Sequence, residues 1–369
     1  MAIGRRTRIL IVDDSAVMRS LLRSIIAADP QLEVAGTAVN GAAALQYVDT
    51  LSPDLMLLDV EMPVLDGLTT LKQLRKRGHR LPVIMCSALT QRGARVTIEA
   101  LASGAADYVT KPAAQQSREA AVRALASELL PKIHALVRSG DPRSHTARPV
   151  MPVPPQAHSA MNAAPLVVAI GVSTGGPAAL EQVLPALPSD FPLPVMVVQH
   201  MPELFTRLLA ERLNTCCRLR VREAAEGDPL RPGTISMARG DWHLEALAPS
   251  CPNQPATLHL SRGPMENHCR PSVDVLFRSL AGIYGAGVLA VVLTGMGLDG
   301  LAGCRNLRSV GATVLAQDES SSAVWGMPGA VVNAGLAHRV VPLQDMAGEI
   351  MRIAGRKSNE AHELREAMV

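Results

Sequence analysis

The sequence has 369 residues, 48% of them apolar and 2% aromatic, with a net charge of +3. That is length enough for two domains and a connection, with cores packed by Val, Leu, Ile and Ala, and too balanced a charge for a nucleic-acid or membrane-surface partner. The six cysteines (Cys86, Cys216, Cys217, Cys251, Cys269, Cys304) have no C-x-x-C pair, so they read as buried thiols in a reducing cytoplasm, not as a disulfide frame or zinc site. The stretch Met1-Ala-Ile-Gly-Arg-Arg lacks the apolar core of a signal peptide, and no apolar run reaches the roughly 18 residues of a membrane span. The expectation is a soluble, cytoplasmic chain.

From Arg8 to Val12 the chain reads as a strand ending in Asp13 and Asp14, and Ser15 caps a helix from Ala16 to Ala28. Leu55 to Leu58 ends in Asp59, Pro82 to Met85 ends near Ser87, and Ala106 to Val109 leads into Thr110-Lys111-Pro112. Helical stretches lie between, among them Gly41 to Leu51 and Leu68 to Arg77. Such alternation predicts a parallel sheet, with functional groups beyond the carboxyl ends of its strands. That edge carries three aspartates, a hydroxyl and a lysine. Three clustered carboxylates repel one another unless a divalent cation sits among them, and hard Mg²⁺ prefers oxygen ligands. With the metal in place one carboxylate can attack a phosphoryl group, while Lys111 and the Ser87 hydroxyl hold the phosphate oxygens.

Val12-Asp13-Asp14, Leu58-Asp59-Val-Glu61-Met-Pro63 with Asp66-Gly67, and Tyr108-Val-Thr-Lys111-Pro112 resemble the receiver domain of two-component response regulators. The resemblance implies that Asp59 accepts the phosphoryl group from a sensor histidine kinase. It implies that Asp13 and Asp14 hold Mg²⁺ with Asp59 and the Glu61 backbone carbonyl, and that Ser87 and Tyr108 shift on phosphorylation. Ser87 keeps the hydroxyl where many receivers carry threonine.

Gln115 to Val137 is alanine-rich with scattered charges and reads as a helix leaving the receiver, kinked or ended by Pro131. Ser139 to Pro165, rich in Pro, Ser, His and Ala, predicts an extended, mobile linker. His134, His145 and His158 in this stretch read as solvated.

Leu166 to Gly171 is an apolar, β-branched run that reads as a buried strand. It leads into Gly171-Val-Ser173-Thr-Gly-Gly-Pro177, with a helix beginning at Ala178. A serine on a glycine-flanked strand-to-helix turn has an exposed hydroxyl and backbone amides around it, which suits a nucleophile. Pro194 to Val198 reads as a strand stopping at Gln199-His200-Met-Pro202. Gly287 to Leu293 reads as another, stopping at Thr294-Gly-Met-Gly-Leu-Asp299-Gly300. If the three strands share one sheet, Ser173, His200 and Asp299 line one rim. Ser173 then attacks a carbonyl, His200 relays the proton, and Asp299 holds the imidazole. Each residue alone has a plainer explanation: a His after a strand is commonly structural, and an Asp in a glycine turn commonly caps a helix. His243, His259 and His268 are rival bases.

Gly295-Met-Gly-Leu-Asp-Gly300 also matches G-x-G-x-x-G between a strand and a helix, Leu301 to Val310. Asp318 lies beyond the next strand, Ala312 to Ala316, at the right distance for a ribose contact. This points to NAD, but it leaves Ser173 and His200 unused and puts Asp299 where a pyrophosphate would approach.

Gly171 to Pro177, Gln199 to Pro202, Arg270 to Phe277, Leu293 to Gly300 and Gly326-Met-Pro328 are together similar to the protein-glutamate methylesterases of bacterial chemotaxis. The resemblance implies hydrolysis of glutamate γ-methyl esters, and deamidation of glutamines, on methyl-accepting chemoreceptors. Ser173, His200 and Asp299 match the family's triad, the Met296 backbone N–H its oxyanion donor, and Thr174 lies beside the nucleophile as support. Cys269 departs from the histidine often found there. The charged tail carries no evident receptor tether.

The expected organisation is two doubly wound parallel-sheet α/β domains. The receiver, flavodoxin-like, covers 1–125, and a helical then Pro-rich linker covers 126–163. A Rossmann-like methylesterase domain covers 164–356, and a charged tail 357–369. In the resting state the receiver is expected to cover the Ser173 edge until Asp59 is phosphorylated. A catalytically silent adaptor and a DNA-binding output domain are the rival readings. The output half is too strand-rich for a helix-turn-helix module, lacks a basic recognition helix, and is missing no triad member.

Overall fold

A computed structural model of the chain describes residues 5–112, 117–140, 163–249, 251 and 254–355. The chain divides into two compact units between residues 146 and 147. His145, His158, the Pro-rich stretch from residue 141 to 162 and the tail from residue 356 lie outside the described residues.

The first unit alternates strand and helix: β1 (Thr7–Val12), α1 (Ala16–Ala27), β2 (Leu32–Ala38), α2 (Gly41–Leu51), β3 (Leu55–Asp59), α3 (Gly67–Lys76), β4 (Val83–Ser87), α4 (Gln91–Ala102), β5 (Asp107–Thr110) and α5 (Arg118–Gly140). The strands form one parallel sheet in the order β2-β1-β3-β4-β5. Because helices cover both faces, β3 and β4 are buried from end to end and read as continuous apolar runs. Ser15, Asn40, Asp66 and Thr90 each accept a backbone N–H at the start of the following helix, fixing where α1 to α4 begin. Strand order reverses between β1 and β3, so their carboxyl ends flank the crevice where such sheets bind ligands.

Two features differ from expectation. β2 escapes the sequence reading because it is a half-exposed edge strand carrying Glu33 and Gly36, and its register on β1 shifts between Ile9 and Leu10. The second concerns α5, which does not leave the receiver. It runs through Pro131 to Gly140 and buries Ala121, Leu125, Leu129, Ile133 and Leu136. Lys132 on this helix donates to the Tyr108 carbonyl at 2.6 Å and pairs with Asp107 and Glu128. His134 lies 2.8 Å from Asp29, an ion-pair or hydrogen-bond partner rather than bulk solvent. The apolar face of α5, masked in sequence by its alanines, supplies the burial that outweighs the proline.

The second unit contains β6 (Val167–Val172), α6 (Gly176–Val183), β7 (Val195–Gln199), α7 (Glu203–Cys216), β8 (Arg220–Glu223), β9 (Thr234–Met237), β10 (His243–Leu247) and β11 (Thr257–Ser261). It continues with α8 (Val273–Tyr284), β12 (Val288–Val292), α9 (Leu301–Ser309), β13 (Thr313–Gln317), α10 (Met327–Asn333), β14 (Arg339–Val341) and α11 (Leu343–Ala354). Seven strands form a parallel sheet in the order β14-β13-β12-β6-β7-β9-β8. The pair β10–β11 is an antiparallel ribbon outside it, and its Leu244, Ala246 and Leu258 share a core with Leu276 and Leu280 of α8. The chain builds outward from β6 in both directions, so β12, β6 and β7 are neighbours at the point of reversal. Their registers pair Val292 with Gly171 and Val172 with Gln199, which brings the three following loops out at one rim.

No helix among the described residues is long and apolar enough to cross a membrane. All six cysteines are free. Contrary to the sequence reading, only Cys86 and Cys304 are buried: Cys216 and Cys251 are exposed, and Cys217 and Cys269 are partly so.

Candidate functional site

In the first unit, Asp13 follows β1 and Asp59 ends β3, both buried, while Asp14 is exposed at the same rim. One carboxylate oxygen from each lies within 4.8 Å of the others. Lys111 reaches in from the loop after β5, its Nζ 2.8 Å from Asp13 and 2.7 Å from Asp59. Burial pushes the Asp59 carboxyl up to about 6, against the Lys111 hydrogen bond and with the Asp13 charge adding to it. One lysine offsets only one of three carboxylates, and an all-oxygen set with two charges left over fits a hard divalent cation. Ser87 is fully buried at the end of β4, and its hydroxyl donates to the Ala88 carbonyl at 3.2 Å. Tyr108 is buried on β5 beneath the Lys132 ammonium. The Glu61 side chain faces away to an ion pair with Arg92 at 3.3 Å, while its backbone N–H bonds the Asp59 carboxylate.

In the second unit, Ser173 follows β6, His200 follows β7 and Asp299 lies in the loop after β12. Gly175, at φ +77, lets the chain turn directly from Ser173 into α6. The β6 loop is bound to its neighbours on both sides. Ser173 N–H donates to Thr294 O at 3.0 Å, and the Thr294 hydroxyl donates to Thr174 O at 2.9 Å. On the other side, buried Gln199 donates its amide to Ser173 O at 3.0 Å. Gly295 comes so close that a Cβ there would stand 2.9 Å from Ser173 Cβ and 2.4 Å from the Met327 sulfur. Its carbonyl accepts from Gly326 and Met327 N–H, and its own N–H donates to Val324 O, which fixes the backbone just ahead of Met296.

His200 Nε2 lies 2.8 Å from Asp299 Oδ2. Asp299 is 2% exposed and accepts five further bonds: from Val273 N (2.6 Å), the Ser272 hydroxyl (2.7 Å), and Asp274 N, Gly300 N and Asn267 Nδ2 (3.1 Å each). Val273 and Asp274 open α8, so Asp299 both caps a helix and orients the imidazole, and the helix N-terminus favours its charge. Burial opposes ionisation of Asp299, but the His200 hydrogen bond and charge, helped by the Val273 N–H and the Ser272 hydroxyl, outweigh it and bring its pKa down to about 2. Burial likewise works against a charged His200, but the hydrogen bonds to Asp299 and Cys269 outweigh it and lift the ring to about 9.

The ring's other nitrogen, Nδ1, lies 3.6 Å from the Cys269 sulfur. No hydrogen bond joins Ser173 to His200 in this geometry. The two are held on one rim through Gln199 and the β6–β7 register, and catalytic hydrogen bonds commonly tighten only around substrate.

Among the rival groups, His243, His259 and Asp318 are committed elsewhere. His243 is buried, one ring nitrogen near Pro264 O and the other accepting from Ser272 N. His259 pairs with Glu226, and His268 is exposed. The G-x-G-x-x-G loop does not present amides to a pyrophosphate, since the buried Asp299 carboxylate already occupies it and accepts Gly300 N–H. Asp318 is taken up by the Ser320 hydroxyl and by the hydroxyl and N–H of Ser321. The sequence reading missed the roles of Gln199, Asn267 and Ser272. Gln199 carried a signal, as a polar residue ending a buried apolar strand. Ser272 lay inside the Arg270 to Phe277 motif with no role attached, and Asn267 carried no signal, because their partner lies in a distant loop.

Comparison with known proteins agrees with this geometry. Residues 168–350 match the CheB methylesterase family and residues 9–123 the response regulator receiver domain. A protein-glutamate methylesterase/protein-glutamine glutaminase of Trichodesmium erythraeum is 46% identical over 94% of this chain and 99% of its own length. One from a Nocardioides strain is 48% identical over 95% and 96%. The Thermotoga maritima CheB methylesterase catalytic domain, a crystal structure, aligns over 52% of this chain and all of its own, at 39% identity and a TM-score of 0.50. With a receiver fold in front and the Ser173, His200 and Asp299 loops on three adjacent strands behind, the chain belongs to the CheB methylesterase family.

Proposed function

We infer that the chain hydrolyses glutamate γ-methyl esters, and deamidates glutamines, on methyl-accepting chemoreceptors in the cytoplasm, under control of a phosphoryl group on Asp59. The observation that supports this most is the adjacency of β12, β6 and β7, which puts hydroxyl, imidazole and carboxylate on one rim. The names carried by the similar proteins supply the substrate class.

The wiring of the histidine follows from its contacts. Nε2 is engaged by Asp299, so we assign the Ser173 proton to Nδ1, whose neighbour in this geometry is the weakly bonding Cys269 sulfur. Ser173 Oγ attacks the ester carbonyl, Nδ1–H returns the proton to the leaving methoxide, and methanol departs. Water, deprotonated by the same nitrogen, then frees the carboxylate. With a glutamine side chain the leaving group is ammonia. Asp299 keeps the ring in one tautomer and balances its charge. The Met296 N–H, in a loop fixed at Gly295, is the donor we assign to the oxyanion, with Thr174 bracing the turn.

In the receiver, Asp13, Asp14 and Asp59 with the Glu61 carbonyl would hold Mg²⁺, which when bound offsets the clustered negative charge. Asp59 takes a phosphoryl group from a histidine kinase, Lys111 neutralises an oxygen of it, and Ser87 and Tyr108 respond to it.

A methanol-release assay on purified methylated receptor tests the reading. Ser173→Ala should lower turnover by about 10⁴-fold or more. Turnover within about tenfold of the unaltered chain would contradict the serine mechanism.

A further inference from the structure

We propose that Cys269 and His200 together form a binding site for a thiophilic divalent cation of the Zn²⁺ class, and that filling it switches the hydrolase off. The second half rests on the hydrolase reading above, whereas the first does not.

His200, Cys269 and Asp299 each place a donor atom within 4.8 Å of the others. The arrangement within the group is specific. Cys269 Sγ lies 3.6 Å from His200 Nδ1. A tetrahedral zinc with a Zn–S bond of about 2.3 Å and a Zn–N bond of about 2.05 Å sets its sulfur and nitrogen about 3.6 Å apart. The separation of these two atoms is therefore the one that a shared tetrahedral ion requires.

Asp299 sits behind the ring, 2.8 Å from Nε2. A carboxylate in that place fixes the proton on Nε2, turns the Nδ1 lone pair outward and strengthens it as a ligand. Cys269 is partly exposed, so the ion can arrive from solvent and complete its shell with water. The other thiols lack this setting. Cys86 and Cys304 are buried, Cys216 and Cys217 lie together at the end of α7, and exposed Cys251 belongs to no such donor group among the described residues. Spacing along the chain hides the pair, because Cys269 precedes α8 while its nitrogen partner follows β7.

Binding is simple exchange. Sγ loses its proton to solvent as the S–metal bond forms, Nδ1 gives up any proton it holds, and nothing is oxidised or reduced. The affinity therefore rises with pH. With Nδ1 occupied, Ser173 has no base.

Cobalt(II) added to the full chain is the direct probe, since a bound thiolate gives a near-ultraviolet charge-transfer band. The band is expected in the unaltered chain, in Ser173→Ala and in the double variant Cys216→Ser/Cys217→Ser. It should vanish in Cys269→Ala, and added Zn²⁺ should displace it. Zn²⁺ should also inhibit methanol release reversibly with chelator, and Cys269→Ala should need at least about tenfold more of it. A band that survives in Cys269→Ala, or is lost only in the double variant, would overturn the site. In case Cys269→Ala folds poorly, iodoacetamide labelling of the unaltered chain, mapped by peptide, decides the matter. Zn²⁺ should protect Cys269, and equal labelling with and without Zn²⁺ refutes the proposal. The cobalt and labelling readouts do not depend on esterase activity, so failure of the methylesterase reading leaves them interpretable.

Discussion

At the scale of single residues, His200 carries the sharpest consequence. Its folded pKa of about 9 lies above the 6.5 of a free imidazole. The share of rings free of that proton, and so able to act as a base, grows as pH rises toward about 9. Turnover on receptor methyl esters should therefore rise with pH toward an inflection near 9, and a profile flat from pH 7 to 9 would show the ring neutral throughout. The linked stability runs the other way: what His200 adds to the fold is complete below about pH 6.5 and is lost as pH climbs through 9. Asp299→Asn should lower turnover about 10⁴-fold, because an amide facing Nε2 no longer fixes the tautomer. It also turns NH₂ donors toward the α8 amides, so a lower melting temperature should accompany the loss.

At the scale of elements, loops do the positioning. Gly295→Ala pushes a methyl group into the Ser173 Cβ and the Met327 sulfur. Turnover should fall about 10²-fold from a shifted nucleophile, while the melting temperature drops only a few degrees, as calorimetry would record. For the receiver, Leu129, Ile133 and Leu136 are buried beyond residue 125. A receiver ending at residue 125 should fail to unfold cooperatively, and one ending at residue 140 should succeed. These elements also mark what the sequence made legible. Strands buried on both faces, such as β3, β6 and β12, announce themselves as apolar runs, and the charged groups at their ends follow. Edge strands β2, β8 and β14 and the ribbon β10–β11 do not, because half-exposed residues dilute the pattern and pairing partners are distant in sequence. The shell around Asp299 was hidden for a similar reason. Ser272 and Asn267 acquire meaning only when α8 is brought against the β12 loop. Cys269 stood out only as a departure from the family, and its neighbour came from the fold.

At the scale of the whole molecule, one device is used twice. Each unit is a parallel sheet whose strand order reverses at its chemical site, with three acidic groups and a lysine in the first and hydroxyl, imidazole and carboxylate in the second. Asp59→Ala should leave basal methanol release in place and abolish its rise with a small-molecule phosphodonor. An equal rise in the variant would detach the receiver from the esterase. The central claim is that Ser173, with His200 as base, is the nucleophile, and a covalent probe tests it most directly. A fluorophosphonate ester allowed to react with the full chain and mapped by mass spectrometry should leave one adduct, on Ser173, and that adduct should be lost in His200→Ala. An adduct on Cys269 instead, or labelling of Ser173 that is indifferent to His200, would contradict it.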